Sequence, residues 1–170
     1  IPELLIRAQS TNHVDCYRGL SLIGHIGTRP EVAVPLFLSN VTSTNPMAFG
    51  QSMAGLEQYG PPASNALPAL EQALTLRTGH DRLLVAYAMV GIGDRSKLTL
   101  LLAEVQNTNS PYRTNALSLL LRLKTDALDA VPALLAFAKS STNDYDLQTH
   151  TARTIEQISP GTAKAAGLRP

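Results

Sequence analysis

The sequence predicts an all-α fold, an α-solenoid (alpha-alpha superhelix) of about five two-helix repeats with a period of about 33 residues. Three observations carry this reading. Apolar-Pro pairs recur at Ile1-Pro2, Val34-Pro35, Leu67-Pro68 and Val131-Pro132, with Leu98-Thr99 filling the vacant register, so the steps are 33, 33, 31 and 33 residues. Gly27, Gly60 and Gly93 form a second series spaced by 33 and 33. No stretch shows the sustained alternation of a half-buried strand.

In the first repeat, about residues 1–27, "IPELLIRA" reads as the first helix. Its proline stands in the first turn, where a missing N–H has no intrahelical partner to lose. The second helix carries an inward stripe of Cys16, Leu20, Ile23 and Ile26 and is expected to end on a left-handed Gly27. Repeat two, 28–60, pairs "VPLFLSNV" with a helix whose stripe is Phe49, Met53, Leu56 and Tyr59, closed by Gly60. Repeat three, 61–93, pairs "LPALEQAL" with the stripe Ala86, Met89 and Ile92, closed by Gly93. Repeat four, 94–124, pairs "KLTLLLAEV" with Leu117, Leu120 and Leu123. Repeat five, 125–159, has Val131, Leu134, Leu135 and Ala138 on its first helix and Ala152, Ile155 and Ile158 on its second. Polar turns such as "TSTNP", "TLRTGH", "NTNSP" and "SSTNDYD" join the helices through side chains that cap and bend the backbone. The array spans residues 1–160. Pro160-Gly161 breaks the last helix before a tail, 161–170, in which Leu168 can fold back as a cap.

A 33-residue helix pair cannot bury its apolar face alone, so neighbours must stack. Here the chain resembles the HEAT-repeat family in its short bacterial form. "ALDAVPALLAFAKSSTNDYDLQTHTARTIEQI" and "YRGLSLIGHIG" are similar to its first-helix P-x-L and second-helix A-x-x-L-x-x-I-G patterns, over residues 1 to about 158. The family's Asp-then-Val-Arg start to the second helix is missing, although Arg18 and Arg113 come close. The ankyrin Thr-Pro-Leu-His cadence and the tetratricopeptide Trp are absent from the sequence.

Composition narrows the function classes. Fourteen Lys and Arg stand against thirteen Asp and Glu, so the basic excess that usually marks a nucleic-acid binder is missing. With no Trp and a net charge of +1, the chain does not match the HEAT-like DNA glycosylases. No motif points to the HEAT-like bilin lyases. Cys16 is the only cysteine, which rules out an internal disulfide framework and reads as a small buried apolar residue. No apolar run approaches the roughly 18 residues of a membrane span. The first residue, Ile rather than Met, suggests a removed leader or a trimmed chain. Four Lys against ten Arg, with abundant Ser, Thr, Asn and Gln, leans toward an extracytoplasmic bacterial protein.

No motif supplies catalysis, a metal or a cofactor. "FGQSMAG" resembles a nucleophile elbow, but Ser52 falls inside a predicted helix and Gly55 comes one place late. His80-Asp81 resembles a phosphohydrolase dyad without its further ligands, and Asp81 reads as a residue at or near a helix start. His13, His25 and His150 never share a helical face at metal-binding spacing. His-Glu pairs, on which the iron-binding HEAT-like hydroxylases depend, do not occur. "GIGDRS" lacks the lysine of a phosphate loop. Asn40-Val41-Thr42 matches a glycosylation acceptor, a pattern common by chance.

The expected function lies on a surface. Second helices of such solenoids line the concave wall, and subtracting the inward stripe leaves a ladder repeated at one register. Its rungs are Arg18, Ser21, His25; Gln51, Ala54, Gln58; Leu84, Tyr87, Gly91; Asn115, Ser118, Arg122; and His150, Arg153, Gln157. The candidate binding residues are Arg18, His25, Gln51, Gln58, Tyr87, Asn115, Arg122, His150 and Arg153, whose side chains suit backbone groups and carboxylates of an extended peptide. The expectation is a non-enzymatic scaffold for a protein or peptide partner, with end-to-end contact through the exposed first helix as a further possibility. The alternative is an accessory or catalytic HEAT-like protein, of lyase or hydrolase type, with its site on the same wall.

Overall fold

Residues 2–27, 29–140 and 144–169 are described by a computed structural model; Ile1 and the middle of the "SSTNDYD" turn lie outside them. The described residues contain no strand. They form α1 (Pro2–Ala8), α2 (His13–Ile26), α3 (Pro30–Ser39), α4 (Pro46–Tyr59), α5 (Leu67–Leu76), α6 (Gly79–Ile92), α7 (Leu98–Gln106), α8 (Arg113–Leu123), α9 (Val131–Ser140), α10 (Tyr145–Ile158) and the single-turn α11 (Thr162–Ala165). The first ten pair off at the predicted registers. The chain divides into two compact units, Ile1–Asp94 and Arg95–Pro170. The boundary follows the glycine that closes repeat three.

In the first unit α1 packs on α2, α3 on α4 and α5 on α6, while α4 packs on both α2 and α6. These second helices approach closely because small residues face each other. A Cβ placed on Gly24 would lie 3.4 Å from Gly55 Cα, and one on Gly55 would fall 2.4 Å from the Phe37 ring. Gly91 meets Glu57 in the same way, at 2.4 Å from its Cγ. Tyr59 also donates its hydroxyl hydrogen to Ile23 O at 3.3 Å, tying repeat two to repeat one. In the second unit α7 packs on α8, α9 on α10, α8 on α10, and α11 covers α10. In the tail Ala163 is buried, while Leu168 is half-buried and its N–H closes the end of α11 on Ala163 O at 3.0 Å.

The turns repeat with the helices. The N-caps of α2, α4 and α6 are Asn12, Asn45 and Thr78, again 33 residues apart. Asn12 Oδ1 accepts from Val14 and Asp15 N–H at 2.9 and 3.3 Å, and Asn45 Oδ1 accepts from Met47 and Ala48 at 3.0 and 3.4 Å. Each satisfies helix-start donors that would otherwise face only water. Two residues earlier, Ser10 and Ser43 accept the N–H of the capping Asn. Ser110 does the same for Tyr112 before α8. Asp144 caps α10 through Leu147 N–H at 3.0 Å.

Every member of the five predicted second-helix stripes is buried except Ile26, which is 45% exposed. Three further details depart from expectation. Pro35 is inside α3, not at its start, because Pro30 begins that helix after Arg29 takes a left-handed φ of 58°. Elsewhere the lead-in to the register proline, or to Thr99, is a tighter 3-10 turn, at Pro61–Ala66, Arg95–Lys97 and Lys124–Ala130. In repeat two that lead-in has become α-helical and fused with its helix. Finally, Gly27 alone of its series ends a helix in the left-handed region; Gly60 and Gly93 have positive φ but ψ values of −143° and −4°, with Gly93 at φ 127°.

Candidate functional site

On α2, Arg18, Ser21 and His25 share one face, being three and four residues apart. Arg18 and His25 are exposed, and His25 Nδ1 lies 2.8 Å from Ser21 O, which holds the ring along the helix. On the neighbouring α4, Gln51 is half-buried and Gln58 exposed. Gln58 leans toward α2, its Oε1 3.4 Å from where a Cβ on Gly24 would stand. The fold therefore brings Arg18, His25, Gln51 and Gln58 onto two packed helices of one unit. In the second unit, Asn115 and Arg122 are exposed on α8, and His150 and Arg153 on α10. His150 also borders a small cleft of about 210 Å³ with Ser110, Arg113 and Asp146.

Tyr87 does not belong to this surface. It is 1% exposed, among the most deeply buried side chains of the chain. The α6 row of Leu84, Tyr87 and Gly91 turns toward α4: Leu84 Cδ1 is 3.9 Å from the Cβ position of Gly50, and Gly91 abuts Glu57. The reason lies in the composition of α6. Leu83, Val85–Val90 and Ile92 are all buried, so the helix is apolar nearly all round and removing one stripe leaves no solvent face.

A heavily engaged side chain, Arg77, is one the ladder omits. Arg77, between α5 and α6, donates through Nη2 to Val41 O at 2.9 Å and Ser43 O at 2.8 Å. Its Nη1 pairs with Asp81 at 3.2 Å, and its guanidinium lies over the Phe49 ring, 4.3 Å from the centroid. One planar cation thus holds the turn of repeat two against the start of α6. Arginine in an uncharged polar turn, with aspartate four residues on, was the available sign. Arg113 is a looser counterpart, donating to Val105 O at 3.0 Å with Phe137 5.5 Å away. It borders a cleft of about 650 Å³ with Gln106, Phe137 and Asp144.

The catalytic resemblances lack their geometry. Ser52 is buried in the middle of α4, not on a strand-to-helix turn. Asp81 stands near the start of α6, as expected, in its first turn and paired with Arg77. Burial raises the Cys16 thiol above its ordinary value, and its Sγ–H donates to Ala8 O at 3.2 Å, the setting of an inert thiol. Among the described residues no three His, Cys, Asp or Glu converge as metal ligands, and no helix is long and apolar enough to cross a membrane. No known family model matches the chain, and no curated protein matches it.

Proposed function

We propose that the chain is a HEAT-like α-solenoid that binds a peptide or protein surface along the exposed polar faces of its second helices. The observation that carries this reading is that the second helices of each unit carry exposed polar side chains: Arg18, His25 and Gln58 on α2 and α4, with Gln51 half-buried beside them, and in the other unit Asn115, Arg122, His150 and Arg153 on α8 and α10. Arg18 and Gln51, like His25 and Gln58, stand 33 residues apart on α2 and α4, and Asn115 and His150 stand 35 apart on α8 and α10, so each unit offers polar side chains that can bond the carbonyls and carboxylates of an extended chain. Helix pairs that pack on their neighbours, as α2, α4 and α6 do, provide a rigid frame for such a row.

Selection of a displayed random-peptide library on the intact chain tests this. Peptides retained by the wild type bind at least about tenfold more weakly to an Arg18→Ala, Gln58→Ala double variant or to His150→Ala, Arg153→Ala. The same peptides bind Lys139→Ala, altered on the exposed side of α9, as they bind the wild type. Retained peptides indifferent to both double variants overturn the reading.

A further inference from the structure

A cleft of about 430 Å³ opens between the turns of repeats one and two, lined by Ala8, Ser10, His13, Cys16, Ser43 and Ala48 among others. We propose that this cleft is a receptor for a guanidinium side chain presented by a partner protein or peptide. The argument comes from the chain's own period. The four groups that hold Arg77 are Val41 O, Ser43 O, the Phe49 ring and the Asp81 carboxylate. Thirty-three residues earlier stand Ala8, Ser10, Cys16 and Ala48, and all four line the cleft. Arg77 precedes the N-cap of α6; the residue that precedes the N-cap of α4 is Thr44, too short to reach back. One groove is closed by the chain's own guanidinium, and its counterpart one repeat earlier is open.

What remains in the open groove suits the same guest. By register Ala8 and Ser10 supply the counterparts of the two carbonyls that accept from Arg77. The Cys16 thiol already donates to Ala8 O, but a carbonyl oxygen has a second lone pair for an incoming N–H. Apart from His13, the lining side chains carry no basic group to repel a cation. Cys16 and Ala48 are smaller than Phe49 and Asp81, which accounts for the space and removes the ring and the carboxylate. A lone arginine therefore binds weakly there, and the cleft contributes as one anchor within a larger contact. The surface is the turn edge of the first unit, distinct from the exposed face of Arg18 and His25, and the inference does not rest on that face being used.

The test is titration of the intact chain with N-acetyl-L-arginine amide, followed through backbone amide resonances. Saturable shifts at Ala8–Asn12 and Ser43–Asn45, absent with the isosteric, neutral citrulline analogue, are expected. Thr44→Arg, which supplies the guest from within, abolishes them. Absence of saturable shifts, equal shifts with citrulline, or a full response in Thr44→Arg overturns the proposal. A second readout needs no variant: the arginine probe at saturation slows alkylation of Cys16 by at least about threefold, as expected for a thiol whose open state is suppressed by a bound ligand. Unchanged alkylation overturns the proposal equally.

Discussion

Helices α2 and α6 occupy the same place in repeats one and three, yet they live in different environments. Leu22 and Ile26 on α2 are 48% and 45% exposed, while Ala88 and Ile92, at the same positions of α6, are buried. Gly55 and Tyr59 on α4, at the register between them, are buried as well. The difference follows from neighbours rather than from residue type. α4 packs on α2 and α6 packs on α4, so each has a preceding second helix to cover that face, whereas among the described residues no preceding second helix packs on α2. A position in a repeat fixes which way a side chain points, and the adjoining repeat decides whether it meets protein or water.

The strongest way to break this contrast is at the turns. Arg77→Ala leaves Val41 O and Ser43 O without their donor, removes the ion pair to Asp81 and uncovers Phe49. A loss of about 3 kcal/mol is expected in denaturant unfolding, since partly buried acceptors lose a charged donor together with a cation–π contact. Thr44→Ala, at the same register one repeat earlier, changes stability by less than about 0.5 kcal/mol, as surface substitutions generally do. Equal losses at the two positions would show that the grooves do not differ in the way described.

Packing gives the next test. Gly55→Ala drives a methyl into the fully buried Phe37 ring, which must leave its rotamer or push α3 from α4. The expected cost is about 2 kcal/mol, in the range of overpacked cores. Leu22→Ala, 33 residues earlier on a half-open face, costs under about 1 kcal/mol, because little apolar area is taken from burial there. Unfolding midpoints of the two variants, measured side by side, check the comparison.

These tests also mark where the sequence is readable. Pro68, Pro132 and Thr99 each occupy the second position of a helix, and the second-helix stripes apart from Ile26 are core, because both follow from local spacing that packing reinforces. Pro35 misled because Pro30, five residues earlier, offered an equally good first-turn proline. Tyr87 misled for another reason. Among the candidate wall residues it alone lies on a helix with almost no polar side, where the period identifies a face but says nothing about a second covering. For Arg77 the sequence carries only a partial sign, the aspartate four residues on, since its two main-chain partners lie 34 and 36 residues away, where no side-chain pattern records them.

Capping provides a smaller contrast within one register. Asn12 and Asn45 both accept two backbone N–H groups, but Thr78, at the third position, makes no side-chain cap bond. Asn12→Ala and Asn45→Ala should each cost about 1 kcal/mol, and Thr78→Ala only a few tenths. Chemical denaturation of the three single variants resolves this ordering, and a Thr78→Ala loss equal to the others would contradict the observed geometry.

The smallest effect sharpens the comparison through pH. Two buried ionisable groups stand one in each of repeats one and two: the Cys16 thiol and the Tyr59 phenol. Burial raises both above their ordinary values of 9.0 and 10.0, with the Glu31 charge raising Tyr59 further. In each case the folded chain keeps the proton longer than the unfolded one. Their contribution to stability is therefore whole below the ordinary values and is lost as pH rises through the raised, folded ones. Tyr59 also loses its donor hydrogen to Ile23 O when it ionises, so the tie between repeats fails at the same step. Tyr59→Phe should flatten the alkaline decline in unfolding midpoint while lowering the midpoint slightly at neutral pH, and Cys16→Ala should flatten only its earlier part. A Tyr59→Phe chain whose midpoint falls with alkaline pH as steeply as the wild type would show that the phenol does not carry the linkage.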